Sequence, residues 1–384
     1  MKIKTTCFLA LLTLVGSFAV AQQIGPCARP THTLVVDWPL FHSDPCHTGF
    51  NPNEFVLSPT NVGSVVPKWK YAVGPIASSP SLANGVVYAG SEDGNLYAIK
   101  AATGALLWKY ATGYTESTPA IANGIVYTGS FDTKSIYALN ATTGAFIWAF
   151  TAGGWMSSSP TVANGVVYVG SADGNLYALN ASTGALVWKY PTGPIFDEAP
   201  AVANGVVYVG SLDNNLYALD ASTGALRWRY ATADIIQYSS PAVANGVVYI
   251  GSADRNVYAL NAVTGDLVWK YATGDMVYAT PAIANGVVYV GSYDSYVYAL
   301  NASTGAFLWK FATEGFPGDA VVANGVVYLG PQDDNVYGLD AKTGAVLLNY
   351  SIGNGDVGTS VAVANGVVYM GLYFEGVWAF HLPN

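Results

Sequence analysis

An all-β ring of eight four-stranded antiparallel blades, a β-propeller, is the fold this sequence predicts, and three observations predict it. The tripeptide Ala-Asn-Gly occurs eight times, at Asn84, Asn123, Asn164, Asn204, Asn245, Asn285, Asn324 and Asn365, spaced 39 to 41 residues apart. A period of that length, made of short apolar runs and turn residues, belongs to sheets repeated around an axis. Each copy also sits in one longer phrase, clearest from Ser158 to Trp188, that divides into four strand-like pieces. Finally, the chain stops after the third strand of the last unit, at Val377 to Phe380, whereas an unmatched fourth strand, Val66 to Ala72, precedes the first unit. Pairing those two pieces closes the circle and removes both free sheet edges.

Taken in chain order, residues 1–21 read as an export signal. Lys2 and Lys4 are followed by an apolar stretch from Phe8 to Val20 and by the small-residue cleavage site Ala19-Val20-Ala21. That stretch is too short to favour a membrane span. Cleavage leaves 13 basic groups against 24 acidic ones, a formal charge of −11, which disfavours nucleic acid and anionic membranes as partners. An exported chain, periplasmic or extracellular and monomeric, is expected.

Residues 22–64 form an N-terminal extension outside the repeats, and residues 65–384 the ring. Cys27 and Cys46 are the only cysteines left after cleavage; in an oxidising compartment one disulfide between them is expected. Metal binding with the nearby His32, His42 and His47 is the alternative, although their spacing fits no zinc pattern.

Within each unit, the first strand runs through Ser-Ser-Pro-x-Val-Ala to Asn-Gly, a pair suited to the tight turn of a hairpin. Val-Val-Tyr-Val-Gly-Ser makes the second strand. A short turn containing Asp (Asp93, Asp132, Asp173, Asp213, Asp254, Asp294 or Asp333) leads into the third, Leu-Tyr-Ala-Leu, and Thr-Gly turns the chain into the fourth. Strands two and three are apolar on both faces, so each sheet needs a neighbour on either side, which a ring supplies. The fourth strand carries a recurrent Trp at Trp69, Trp108, Trp148, Trp188, Trp228, Trp269 and Trp309, with Leu348 in the eighth place.

Eight near-copies expose what varies. Asn-Gly and Thr-Gly, on one face of the disc, barely change. The connections from the fourth strand to the next first strand, on the other face, differ most and should ring the channel mouth, where binding loops on a rigid ring are expected. They hold Glu116, Asp197, Glu198, Asp234, Asp275, Glu314, Asp319 and Asp356, no Lys or Arg, and the aromatics Tyr114, Trp155, Phe196, Tyr238, Tyr278 and Phe316. Acidic groups among aromatic plates suit a cation, a cationic peptide or a sugar face. Glu116, Trp155, Phe196, Asp197, Glu198, Tyr238, Asp275, Tyr278, Asp319 and Asp356 are therefore the candidate ligand-binding residues. Glu198 and Asp319 replace the first and second hydroxyl residue of the Ser-Ser pair. A carboxylate so near the channel suggests a partner such as Ca²⁺ or another cation.

These phrases resemble the pyrroloquinoline-quinone (PQQ)-type propeller repeat family. The family hallmark A-x-D/N-x-x-T-G-x-x-x-W is matched at Ala138, Asn140, Thr143, Gly144 and Trp148, and the opening segment is similar to that of quinoproteins at Trp38, Asp44, Thr48, Gly49, Leu57, Asn61, Val62 and Trp69. The resemblance covers roughly residues 36 to 382. It implies that Trp and the Thr-Gly turn tie each blade to the next, in a tryptophan-docking contact. It also implies three functional classes: dehydrogenases using PQQ and Ca²⁺, outer-membrane assembly factors, and sensor ectodomains. The chain lacks the adjacent cysteine pair of the dehydrogenases and the acylated cysteine of the assembly lipoproteins. The histidines all lie outside the repeats or at the end of the last strand, and no nucleophile has an evident base.

The expectation is thus an exported, non-catalytic binding propeller whose mouth takes a protein, peptide, carbohydrate or cation, with no cofactor required by the residues. A PQQ- and Ca²⁺-dependent oxidoreductase and an outer-membrane assembly partner are the alternatives.

Overall fold

The computed structural model describes residues 37–353 and 359–383. Eight antiparallel sheets stand in a ring: blades 1 to 7 span 81–111, 120–151, 161–191, 201–231, 242–272, 282–312 and 321–351. Blade 8 combines strands of 362–381 with Val66–Tyr71. That early strand pairs antiparallel with Gly376–His381, placing Trp69 opposite Ala379. First strands of successive blades adjoin one another all round, and those of blades 8 and 1 do so too. The expected eight-bladed ring, closed by an N-terminal strand, is what forms.

Local chemistry explains the shape of each blade. All eight Asn-Gly pairs hold both residues in the left-handed region, with Asn φ between 43° and 54°, the requirement of the two-residue hairpin turn. In six blades the Asp after the second strand is gripped by the tyrosine four residues on, the exception being Asp132, which has Ile136 at that place; Tyr177 Oη, for example, donates to Asp173 Oδ2 at 2.7 Å. Asp173 Oδ2 also accepts from Gly153 N in the preceding connection at 2.8 Å. This conserved geometry makes the turn aspartates structural.

Between blades, each fourth-strand Trp reaches forward. Its indole N–H donates to an Ala carbonyl at the Thr-Gly turn of the next blade, from Trp69 to Ala101 at 2.8 Å through Trp309 to Ala341 at 3.2 Å. The ring lies against the turn glycine: a Cβ on Gly224, whose φ is +71°, would stand 2.7 Å from Trp188. Six second-strand tyrosines, Tyr88, Tyr127, Tyr168, Tyr208, Tyr249 and Tyr289, send Oη to the same carbonyls; Ala221 O accepts both Tyr168 and Trp188 at 3.0 Å. At the seam between blades 7 and 8 the pattern changes, because blade 8 takes its fourth strand from Val66–Tyr71 rather than through a Thr-Gly turn. Leu348 replaces Trp there and packs with Leu57, Val62 and Val65. Glu54, fully buried, accepts from Val56 N, Leu57 N and Gly366 N.

The central channel is filled by the chain itself. Residues 38–51 circle its interior, and their carbonyls take the backbone N–H groups that the first strands turn inward: Trp38 to Leu82, Pro39 to Ile121, Pro45 to Val202, Cys46 to Val243, Thr48 to Ile283 and Gly49 to Val322, at 2.6–2.8 Å. His47 Nε2 lies 3.0 Å from Thr161 Oγ1 of blade 3, and Asn51 Nδ2 donates to Val363 O of blade 8 at 2.7 Å. Every blade is therefore touched. Edge strands facing a channel would otherwise need water for these donors. The plug enters and leaves on the Asn-Gly face, since Asp37 accepts from Asn84 N while Asn324 Nδ2 donates to Leu57 O. Cys46 within it is disulfide-bonded; Cys27 and the export signal lie outside the described residues, as does His32.

Candidate ligand-binding mouth

On the face opposite the Asn-Gly turns, the connections between blades surround a cavity of about 470 Å³ floored by Phe41 of the plug. A smaller lobe of about 300 Å³ opens beside it. Glu116, Asp197 and Tyr238 line both and so form the septum between them.

The variable connections obey a rule of their own. In six of them one residue is buried against the second-strand glycine of the preceding blade: Ile76, Thr115, Met156, Ile195, Ile236 and Val277 all have no exposure. A Cβ on Gly170 would come within 2.3 Å of Ile195 Cγ2, so the glycine creates the seat. With the anchor fixed, its neighbours project to the mouth. This explains why Glu116, Phe196 and Tyr278, each one residue after an anchor, line the cavities.

Below them runs a belt of hydroxyls. The second residue of the Ser-Ser pair accepts from the backbone N–H at the same position of the preceding blade: Ser159 from Thr118, Ser240 from Ala199, Thr280 from Ser240, and Ser79 from Ser360, at 2.8–3.0 Å. Asp319 belongs to this belt. Its Oδ1 accepts from Thr280 N and its Oδ2 from Ser360 Oγ, both at 2.6 Å, with His42 Nε2 of the plug 3.8 Å away. These partners account for its carboxylate without a metal ion. Glu198 and Asp319 stand in different blades, and among the described residues no group of three His, Cys, Asp or Glu side chains is arranged to hold a metal.

Two aromatic arcs flank the cavities. Tyr114, Phe131, Trp155 and Phe196 follow one another on one side, with Phe131 and Trp155 stacked at 4.1 Å. Tyr238, Tyr278, Tyr293 and Phe316 follow on the other, with Tyr293 and Phe316 stacked at 4.5 Å. Trp155 and Tyr238 remain 41% and 45% exposed. Tyr114 Oη bridges Glu92 and Glu116, and Tyr373 Oη donates to the other oxygen of Glu92.

The septum carboxylates are electrostatically unsettled. Burial and then the neighbouring Glu116 push Asp197 up to about 6, and its Oδ1 is buried with no hydrogen-bond partner. Its backbone is held at φ +60°. Glu198 behind it is fully buried; burial first, and Asp197 second, raise it well above the usual carboxylate range, against the N–H of Tyr238 that its Oε1 accepts at 3.1 Å. A group whose folded pKa is raised contributes stability below its unfolded value and loses it as pH rises. Glu198→Gln is therefore expected to gain on the wild type by about 1.4 kcal/mol per pH unit above pH 4.5, until the folded pKa is passed. Denaturant midpoints at pH 5 and pH 8 test this; parallel curves would show that Glu198 is ionised without penalty.

Of the candidate residues, Glu116, Asp197, Tyr238, Tyr278 and Asp319 line the main cavity, and Trp155 and Phe196 the smaller lobe. Glu198 is behind the wall rather than in it. Asp275 is used locally, accepting from Met276 N at 2.8 Å. Asp356 lies outside the described residues. Sequence reasoning passed over Glu92, Phe131, Tyr293, Gln332 and Tyr373, which come from the turn after the second strand. The signal was present in part: in six blades the turn reads Ser-x-Asp with only x changing, and x lines the mouth as Glu92, Phe131 and Tyr293, whereas Gln332 and Tyr373 stand in turns that lack the Ser.

A family model described as outer membrane protein assembly factor BamB matches residues 61–148, 132–241, 172–279 and 236–382. No curated protein matches the chain. Among solved structures, BamB from Moraxella catarrhalis is similar at 19% identity and TM-score 0.71, covering 83% of this chain and 99% of that one. The quinohemoprotein alcohol dehydrogenase ADHIIG from Pseudomonas putida HK5 is similar at 16% identity and TM-score 0.78, over 90% of this chain and 80% of its own. The computationally designed Ika8 protein reaches TM-score 0.72 at 18% identity, over 82% and 99%. At such identities the likeness is one of fold.

Proposed function

Since the chain belongs to the family described as outer membrane protein assembly factor BamB, we propose that it is an exported, non-catalytic propeller that binds a ligand at the mouth. One observation carries this reading: a two-lobed cavity walled by aromatics and carboxylates and closed below by the plug. Variable side chains on an invariant ring are how a scaffold acquires a specific binding face. Export is supported by the basic, apolar and small-residue order of the first 21 residues, and no helix among the described residues is long and apolar enough to cross a membrane.

A quinoprotein oxidoreductase is the less supported reading. PQQ carries three carboxylates, and the cavity lining contributes Glu92, Glu116, Asp197 and Asp319 and, among the described residues, no Lys or Arg. The residues present do not fit that group. Partnership in outer-membrane assembly is a second reading, favoured by the family model; crosslinking followed by recovery of β-barrel assembly components is its test.

A thermal-shift screen of the mature protein against saccharides, peptides, polyamines and PQQ with Ca²⁺ tests the main reading, because any ligand of the folded ring raises its melting point. At a hundredfold excess over Kd the gain is about 2.7 kcal/mol. A shift abolished by Tyr238→Ala, which alters both lobes, is the expected result. A shift that survives this substitution would move the ligand elsewhere, and one confined to PQQ with Ca²⁺ would favour the oxidoreductase.

A further inference from the structure

We propose that the smaller lobe of the mouth is a receptor for an alkylammonium group, with the aromatic rings as its walls and the septum as its anion; this rests on the mouth being the binding face. The lobe is lined by the stacked Phe131 and Trp155, by Phe196 next to Trp155 and by Tyr238, with Glu116, Asp197 and Ser157 among them. Aromatic faces attract a cation through the ring quadrupole, most strongly where water is thin.

The polar atoms point to the same ligand. Ser157 is 3% exposed and lines the lobe beside Asp197, where its hydroxyl favours the carboxylate, and Oδ1 of Asp197 is buried without a well-formed hydrogen bond. Glu116 Oε1 already accepts from Tyr114. The donors lining the smaller lobe are all neutral, the hydroxyls of Ser157 and Tyr238 and the amide of Gln237, and among the described residues no Lys or Arg lines either lobe. An ammonium group brings three donors and a positive charge. It supplies the positive charge that none of these neutral donors brings, and so offsets the repulsion between Glu116 and Asp197. A neutral sugar could fill the acceptors but would leave the two carboxyls competing.

The charge relation has a measurable consequence. Asp197 is faced by Glu116, Glu198 and Tyr238, none of them basic. Protonation of Asp197 at acid pH removes its negative charge from the septum, so binding near pH 6 must release a proton. The larger lobe, continuous with the first across the septum, would receive the remainder of the ligand. A lysine side chain on an extended peptide and a free polyamine share this chemistry.

Titration calorimetry of the mature protein at low salt, with spermidine and with the peptide Gly-Lys-Gly as separate probes, distinguishes the two sources. Binding is expected for at least one, weakened at least tenfold by Glu116→Gln and by Trp155→Ala, and at least fivefold on going from pH 7.5 to 5. Heats measured at pH 6 in buffers of different ionisation enthalpy should report a released proton. Glu116→Gln is isosteric and Trp155 partly exposed, and unchanged melting points verify that both variants fold. Failure of both probes overturns the inference, as does binding indifferent to both substitutions. If a neutral saccharide binds instead and is lost in Tyr238→Ala, the ammonium assignment falls while the binding mouth stands. If no ligand of any class shifts the melting point through the mouth, both fall.

Discussion

Trp188→Ala is expected to cost about 3–5 kcal/mol, the scale of a large aromatic truncation in a packed interior. Three contacts are lost together. The ring leaves the face of Gly224, where a Cβ would stand only 2.7 Å away, so the turn cannot close over the gap by adding bulk. The indole N–H bond to Ala221 O disappears, although that carbonyl keeps Tyr168 Oη at 3.0 Å. The tilted contact with Tyr168, at 5.8 Å between centroids, goes as well. Trp188→Phe separates these effects, since it keeps a ring and deletes the hydrogen bond, worth about 1 kcal/mol net. Urea midpoints of the two variants give the comparison; an unchanged midpoint for Ala would remove the indole from the forces holding blades 3 and 4 together.

Acid is expected to destabilise the ring through its plug. His47 has no exposure, and burial, with His42 adding to it, lowers its pKa to about 3. The unfolded chain binds that proton near pH 6.5 and the folded one does not, so stability falls as pH drops below 6.5. The slope is about 1.4 kcal/mol per pH unit, accumulating to on the order of 4 kcal/mol by pH 3.5. Asp197 and Glu198 act with the opposite sign over part of this range, which makes the difference between wild type and His47→Gln the quantity to measure. The variant should lose the His47 contribution to the acid slope while keeping that of the carboxylates. Identical acid profiles would mean that the imidazole is charged, or wetted, in the folded protein.

How much of this could be read from residues alone depends on repetition. The blades were legible because each strand and turn recurs: Asn-Gly demands its positive-φ hairpin eight times, and Trp stands opposite Thr-Gly seven times. The closing strand was legible because Trp69 is a fourth-strand Trp without a blade. The plug was not. It occurs once, so nothing in the chain aligns with it, and it works mainly through carbonyls of Pro39, Pro45, Cys46, Thr48 and Gly49, which any side chain provides. Likewise Asp319 stood out as a carboxylate among hydroxyls, but only the fold reveals that the blades on either side supply its donors. Glu198 was conspicuous for the same reason and lies one layer deeper than the mouth. Sequence variation marks a position as unusual without giving its depth.

Because residues 38–51 bond in turn to blades from the first to the last, this segment is translated before every surface it must meet. The pairing of Trp69 with Ala379 spans 310 positions, a separation whose closure is entropically slow. A nascent chain released early would carry the plug with only part of its bore built, and the closing strand would have no partner. Final assembly is thus a late, whole-molecule event, and quality control acting on this protein would have a single feature to inspect: whether its beginning has found its end.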